Sequence, residues 1–185
     1  MKKFIWLIVV AGLLILSGIG FYNSLVAKSQ AIDNQWAQVE TQYQRRFDLI
    51  PNLVSSVEGI MKQEQAVFGK IAEARTLYSG AKSVEEKAQA ATQVESALGR
   101  LLVVMENYPE LKSAANVTQL MDELAGTENR ISVERGRYND LVKDYNTTIM
   151  KFPAKLIAGV FGFTEKSYFE AVSGAEKPPA VEINP

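Results

Sequence analysis

Apolar positions along the chain first form one unbroken block and then settle into a helical rhythm. The block is an uncharged run from Phe4 to Ala27, most apolar between Phe4 and Tyr22. About 20 apolar residues cover roughly 30 Å of hydrocarbon as a helix, so the run predicts a transmembrane anchor. Trp6 and Tyr22 stand near its two ends, where interfacial aromatics are favoured, and Gly12, Gly18 and Gly20 are tolerated within it. A cleaved signal peptide would also begin with basic residues such as Lys2-Lys3. Against that reading, the run is longer than an ordinary signal core, and Leu25-Val26-Ala27 is a poor small-x-small cleavage site.

Beyond the anchor the apolar residues recur in steps of three and four. They are Ile32, Trp36, Val39, Tyr43, Phe47, Ile50, Val54, Val57, Met61, Phe68, Ile71, Ala74 and Tyr78, with one missed beat at Glu64. That period predicts a long amphipathic helix ending near Ser79-Gly80. Pro51 should kink or interrupt it, because proline lacks an N–H and crowds the preceding turn. Ser83 with Glu86 three residues on reads as a capping box opening a second helix to about Asn107, stopped by Pro109. A third helix starts at Asn116, with Gln119 at its third position, and runs to Phe152-Pro153. A shorter one covers Ala154 to Val172. Short loops favour antiparallel neighbours.

The fold class is therefore all-α: an N-terminal transmembrane helix followed by an antiparallel long-helix bundle of three long helices plus a shorter C-terminal helix. Residues 1–3 form a flank, 4–27 the anchor, 28–174 the bundle, and 175–185 a proline-rich tail expected to be disordered. Lys2, Lys3 and the amino terminus on one side compete with Lys28 on the other. The positive-inside rule then favours a cytoplasmic N-terminus and a bundle on the extracytoplasmic, periplasmic side.

Composition narrows the chemistry. The chain has no cysteine and no histidine. Thiol nucleophiles, disulfides and Cys-ligated metals are excluded, and the common triads lose their base. Lys and Arg number 20 against 21 Asp and Glu, which gives no cationic excess for nucleic acid. The expectation is a protein that is not an enzyme, with no cofactor, no metal and no small-molecule substrate.

Two polar blocks stand out. Arg46, Asp48, Pro51 and Asn52 read either as a recognition point at a kink or as contacts that settle how the first helix meets the third. Glu128 and Arg130, with Glu134 and Arg135, read either as paired carboxylates or as a polar layer fixing register. A bundle di-metal site wants Glu-x-x-His pairs, which this chain cannot supply. The Tyr-Asn pairs Tyr22-Asn23, Tyr138-Asn139 and Tyr145-Asn146 read either as an aromatic–amide recognition surface or as core tyrosines with hydroxyls reaching water.

Several blocks in order carry a resemblance to a known family. They are Tyr22-Asn23-x-Leu25-Val26, Arg46-x-Asp48-Leu49-Ile50-Pro51-Asn52-Leu53, Glu106-Asn107-Tyr108-Pro109-Glu110-Leu111-Lys112, Glu123-Leu124-x-x-Thr127-Glu128-Asn129-Arg130-Ile131, and Arg137-Tyr138-Asn139 through Tyr145-Asn146 to Phe152-Pro153. On these residues the sequence resembles the LemA family of bacterial membrane proteins. The resemblance implies a single-pass inner-membrane or cell-membrane protein with a helical bundle, and it implies little about activity, since the family has no established catalytic chemistry.

Lengths add one expectation. At 1.5 Å per residue the first helix, Ile32 to Tyr78, would extend roughly 70 Å, and the second only about 37 Å. Helices two and three would then stop short of the membrane, leaving the stripe Ile32, Trp36, Val39 and Tyr43 without an intramolecular partner. Such a stripe predicts association, as a homo-oligomer or with an envelope protein. With helix one leaving the membrane, helix two returning and helix three leaving again, the apolar segment from Phe152 to Phe163 falls at the far end of the bundle. The function expected is a membrane-anchored scaffold or adaptor acting by protein–protein interaction. The alternatives are an oligomer that organises the bilayer directly and an envelope enzyme working without His or Cys.

Overall fold

In a computed structural model, residues 2–112 and 114–169 are described. Six helices occur among them: α1 (Lys2–Glu58), α2 (Gln65–Gly80), α3 (Val84–Met105), α4 (Pro109–Lys112), α5 (Ala115–Met150) and α6 (Ala154–Phe161). The described residues contain no strand, so the chain is all-α with an apolar helix at its N-terminus. The predicted tail, 175–185, and positions 170–172 of the predicted last helix lie outside the described residues.

The predicted first helix is two helices. Pro51 sits inside α1 on an exposed face, and the helix continues through it to Glu58. An exposed proline withholds one N–H from the ladder, and its ring meets no packed neighbour, so a long helix can run on past it. The break comes instead at residues 59–64, around Gly59, which loses more backbone freedom than alanine on entering a helix. Met61 is fully buried within that break and pins it to the core. The missed apolar beat at Glu64 is the N-cap position of α2, where no side chain caps the helix.

The chain forms two compact units. One comprises Met1–Thr41 and Ser132–Tyr168. In it α1 and α5 run antiparallel: Gln35 Nε2 donates to Glu134 Oε2 at 2.6 Å, and Lys28 pairs with Asp144. Leu25, Ile32, Val39, Tyr138, Val142 and Tyr145 are buried along these helices. The apolar stretch of α1 that would cross a membrane is left exposed, with Trp6, Leu7, Leu13 and Leu16 uncovered.

The other unit comprises Gln42–Ile131 together with Phe169. Its α2 and α3 form a hairpin across residues 81–83. Ser83 Oγ accepts from the Glu86 N–H at 3.1 Å, while Glu86 accepts from the N–H groups of Lys82 and Ser83 at 2.7 and 3.3 Å. This is the predicted capping box. Those backbone donors hold the Glu86 carboxyl below its ordinary value. The buried face of α3 is rich in small residues (Ala88, Ala90, Ala91 and Ala97), which let neighbouring backbones approach closely. An aromatic group is buried in the same unit. Tyr78 lies 5.1 Å from Tyr43 and 4.7 Å from Phe47 between ring centroids, and Phe169 stacks on Tyr43 at 6.4 Å.

The last helix is shorter than predicted. It stops at Phe161 because Gly162 takes the left-handed conformation (φ 74°), and the Phe163 N–H closes onto the Ala158 carbonyl at 2.9 Å. A glycine in this role ends helices without a Cβ penalty. Residues 163–169 then continue without helix.

Candidate functional site

The stretch after Gly162 is held to α5 by a small set of polar side chains. Asn146 is buried among apolar neighbours on α5, and its amide meets the backbone of Lys166 twice. Its Nδ2 donates to the Lys166 carbonyl at 2.9 Å, and its Oδ1 accepts from the Lys166 N–H at 2.9 Å. One residue on, the buried Tyr138 hydroxyl donates to the Ser167 carbonyl at 3.0 Å. Lys166 Nζ reaches Asp33 on α1 at 3.2 Å. The strap 163–168 thus lies on α5 as an extended peptide whose backbone is read by an amide and a phenol. Backbone groups partly withdrawn from water gain from such partners, and the clamp supplies them at the half-buried Lys166 and at Ser167. Tyr145, next to the clamp, is buried. Loss of water, with the nearby Asp33 charge, pushes its phenol above its ordinary value.

At the end of the same unit the rings of Phe161 and Phe163 lie 4.8 and 5.7 Å from that of Tyr22. A Cβ built on Gly18 would meet Ile157 Cδ1 at 3.7 Å, an ordinary van der Waals contact. The segment expected at the far end of the bundle therefore lies on the anchor. Dividing the first helix at 59–64 adds one reversal, and each later helix points the other way.

The same correction applies to the stripe Ile32, Trp36, Val39 and Tyr43. Ile32, Val39 and Tyr43 are buried, and Trp36 is half-buried with its ring 5.4 Å from Tyr138, edge to face. The stripe has an intramolecular partner, because α5 extends well past residue 134 along α1. The expectation of an exposed stripe falls with it.

In the other unit the buried side chain of Arg46 pairs with Glu128 on α5 and stands 3.8 Å from Glu95 on α3, whose Oε1 also accepts from the Tyr43 hydroxyl at 3.4 Å. A guanidinium removed from water is kept when carboxylates meet it, and here those carboxylates come from two further helices. The rest of the two polar blocks lies elsewhere. Asp48 is exposed and accepts from Gln44 at 2.9 Å, and Pro51 and Asn52 are exposed. Arg130 is also exposed, beside Arg45, Asp122 and Glu123 at a shallow hollow. Asn139 is half-buried on α5. Among the described residues no group of three His, Cys, Asp or Glu side chains is placed to hold a metal ion.

Sequence reasoning gave no separate weight to Asn146, Lys166 and the Tyr22–Phe161–Phe163 cluster. Asn146 did carry a signal: it is a polar residue on the same helical face as Val142, Tyr145 and Ile149. The strap residues carried none, because a backbone reads the same whatever side chain it bears.

Comparison with known proteins adds the relatives. A family model described as the LemA family matches residues 35–183. Magnetosome proteins MamQ 1 and MamQ 2 of Paramagnetospirillum magneticum are each 26% identical over 183 residues, covering 85% of this chain and 67% of theirs. Protein LemA of Metamycoplasma hominis is 24% identical over 158 residues, 83% of this chain and 70% of its own.

Proposed function

The chain belongs to the LemA family of membrane-associated helical proteins, and from that premise we propose that it is a membrane-tethered scaffold or adaptor acting through protein–protein contacts rather than an enzyme. One observation supports this reading above the others. The side chains with most chemical potential (Arg46, Glu128, Tyr138 and Asn146) are engaged in holding the chain to itself, across helices or along the strap. The absence of histidine and cysteine from the sequence points the same way. The anchor passes without a helical break into the part of α1 packed by α5, so the folded part begins directly at the bilayer surface. The partner is an envelope protein or a second copy, on the extracytoplasmic side favoured by Lys2 and Lys3.

Proximity labelling in living cells, from a ligase fused to the C-terminus, tests partner and side together. Recovery of a reproducible set of extracytoplasmic neighbours is expected. Cytoplasmic proteins alone would overturn the orientation, and labelling no richer than that of an unrelated single-pass control would overturn the adaptor reading. A second reading, direct action of assembled copies on the bilayer, draws on the exposed apolar residues at the turn between α5 and α6. Purified protein that reshapes vesicles with no other factor present would favour it.

A further inference from the structure

We infer that the turn between α5 and α6, with the outer face of α6, is a second membrane-contact element, inserted in the interfacial layer of the same bilayer that the anchor crosses. The inference rests on the membrane-anchor reading of residues 4–27. If about 20 residues of that run cover the hydrocarbon from Phe4 onward, Tyr22 lies near the boundary and Gly18 roughly 7 Å inside it. Ile157 Cδ1 stands 3.7 Å from where a Cβ on Gly18 would lie, and Phe161 packs on Tyr22. A helix lying beside the anchor at Gly18 and Tyr22 shares its depth, so whatever surrounds the anchor at that level surrounds α6 as well.

The other face of α6 suits that depth. Ala154 and Ala158 are buried, while Leu156 and Val160 on the outer face are 61% and 78% exposed, and Phe152 in the preceding turn is 80% exposed. Water would make that face costly, whereas the acyl–headgroup boundary would cover it, and interfacial helices typically bury their apolar face about 5–10 Å deep. Part of the turn's backbone is satisfied within the chain. The Lys151 N–H donates to Thr148, the Lys155 N–H to Lys151 and the Leu156 N–H to Pro153, and Pro153 itself has no N–H. Backbone at membrane depth must be satisfied internally in this way. Lys151 and Lys155 are exposed at the tip, on stems long enough to return their ammonium groups to lipid phosphates.

The chain has no native cysteine, so single substitutions report cleanly. Full-length protein carrying Leu156→Cys or Val160→Cys would be reconstituted in phosphatidylcholine–phosphatidylglycerol vesicles, with Leu13→Cys as anchor control and Ser96→Cys as water control. Both test positions are exposed, and circular dichroism against the unsubstituted protein checks that helix content is kept. Fluorophores at 156 and 160 should be quenched by lipids brominated high on the acyl chain, and the one at 13 by lipids brominated deep. The probe at 96 should not be quenched. A charged maleimide should react about ten-fold or more slowly at 156 than at 96, as expected of a buried interfacial face. Quenching at 13 but not at 156 or 160 would overturn the second contact and leave the anchor standing. Absence of quenching at 13 as well would overturn both. Slow labelling without quenching, together with disulfides between copies that increase with protein density, would show that a second chain covers this face and would overturn the proposal.

Discussion

The unit that contains the anchor and the unit built around α2 and α3 bring polar side chains into their interiors for different ends. In the first, Asn146 and Tyr138 are neutral and bind backbone, satisfying the peptide groups of a non-helical strap. In the second, Arg46 is charged and binds carboxylates on two other helices, amid an aromatic core of Tyr43, Phe47, Tyr78 and Phe169. The difference follows from what each must hold. A strap offers peptide groups at fixed spacing, which a planar amide matches with two bonds. Helices have already satisfied their own peptide groups, so only side-chain charge and apolar area remain to fix one against another.

That comparison can be broken at several points. The largest effect is expected from Tyr43→Ala, which empties a fully buried ring from the aromatic core. A loss of about 3–5 kcal/mol follows from cavity formation, read as a lowered denaturation midpoint. Arg46→Met should cost about 2–4 kcal/mol, below the upper range for buried pairs because Glu128 retains water on one side. Adding Glu128→Gln should recover part of that loss. Strict additivity in the double-mutant cycle would show that charge pairing does not hold these helices.

Asn146→Ala should cost about 1–3 kcal/mol, as expected when two neutral bonds go and part-buried peptide groups lose their partners. Its signature is local: hydrogen exchange at Lys166 should accelerate while the aromatic core stays protected. Unchanged protection there would mean that the strap is held by other contacts. Ser83→Ala should cost about 1 kcal/mol, the usual effect of removing an N-cap, and it should act through the α2–α3 hairpin.

The smallest effects separate the units by pH. Backbone donors lower the folded Glu86 carboxyl below 4.5. Its contribution is present above that value and lost as pH falls through the folded one. Burial raises the folded Tyr145 phenol above 10.0. Its contribution is present below that value and lost as pH rises through the folded one. Glu86→Gln should flatten the acid limb of a stability–pH curve and Tyr145→Phe the alkaline limb. Exchange of these two limbs between the variants would contradict the assignment.

Local signals in the sequence located most elements. The apolar run at 4–27, the capping box at Ser83 and Glu86, and the stop at Pro109 each act over a few residues, and each appears in the structure near its predicted place. The third helix was expected from Asn116 and begins at Ala115. The break at 59–64 has only weak local signals: one glycine, no proline and an apolar Met61 that keeps the helical rhythm. Pro51 was the stronger breaker by residue type, yet it lies on an exposed face where a helix can absorb it. Of the candidate site, Arg46 and Glu128 drew notice as unusual polar blocks, but nothing local paired them.

What sequence alone determined is what depends on neighbours along the chain: helical period, caps, the length and apolarity of the anchor, and a chemistry without imidazole or thiol. Tertiary structure decided what depends on direction. One additional reversal at 59–64 turned α5 back along α1, covered the stripe around Trp36, and returned the chain to Gly18 and Tyr22. Periodicity shows which face of a helix is apolar but is the same read in either direction, so it could not tell which end of the bundle the last helix would reach.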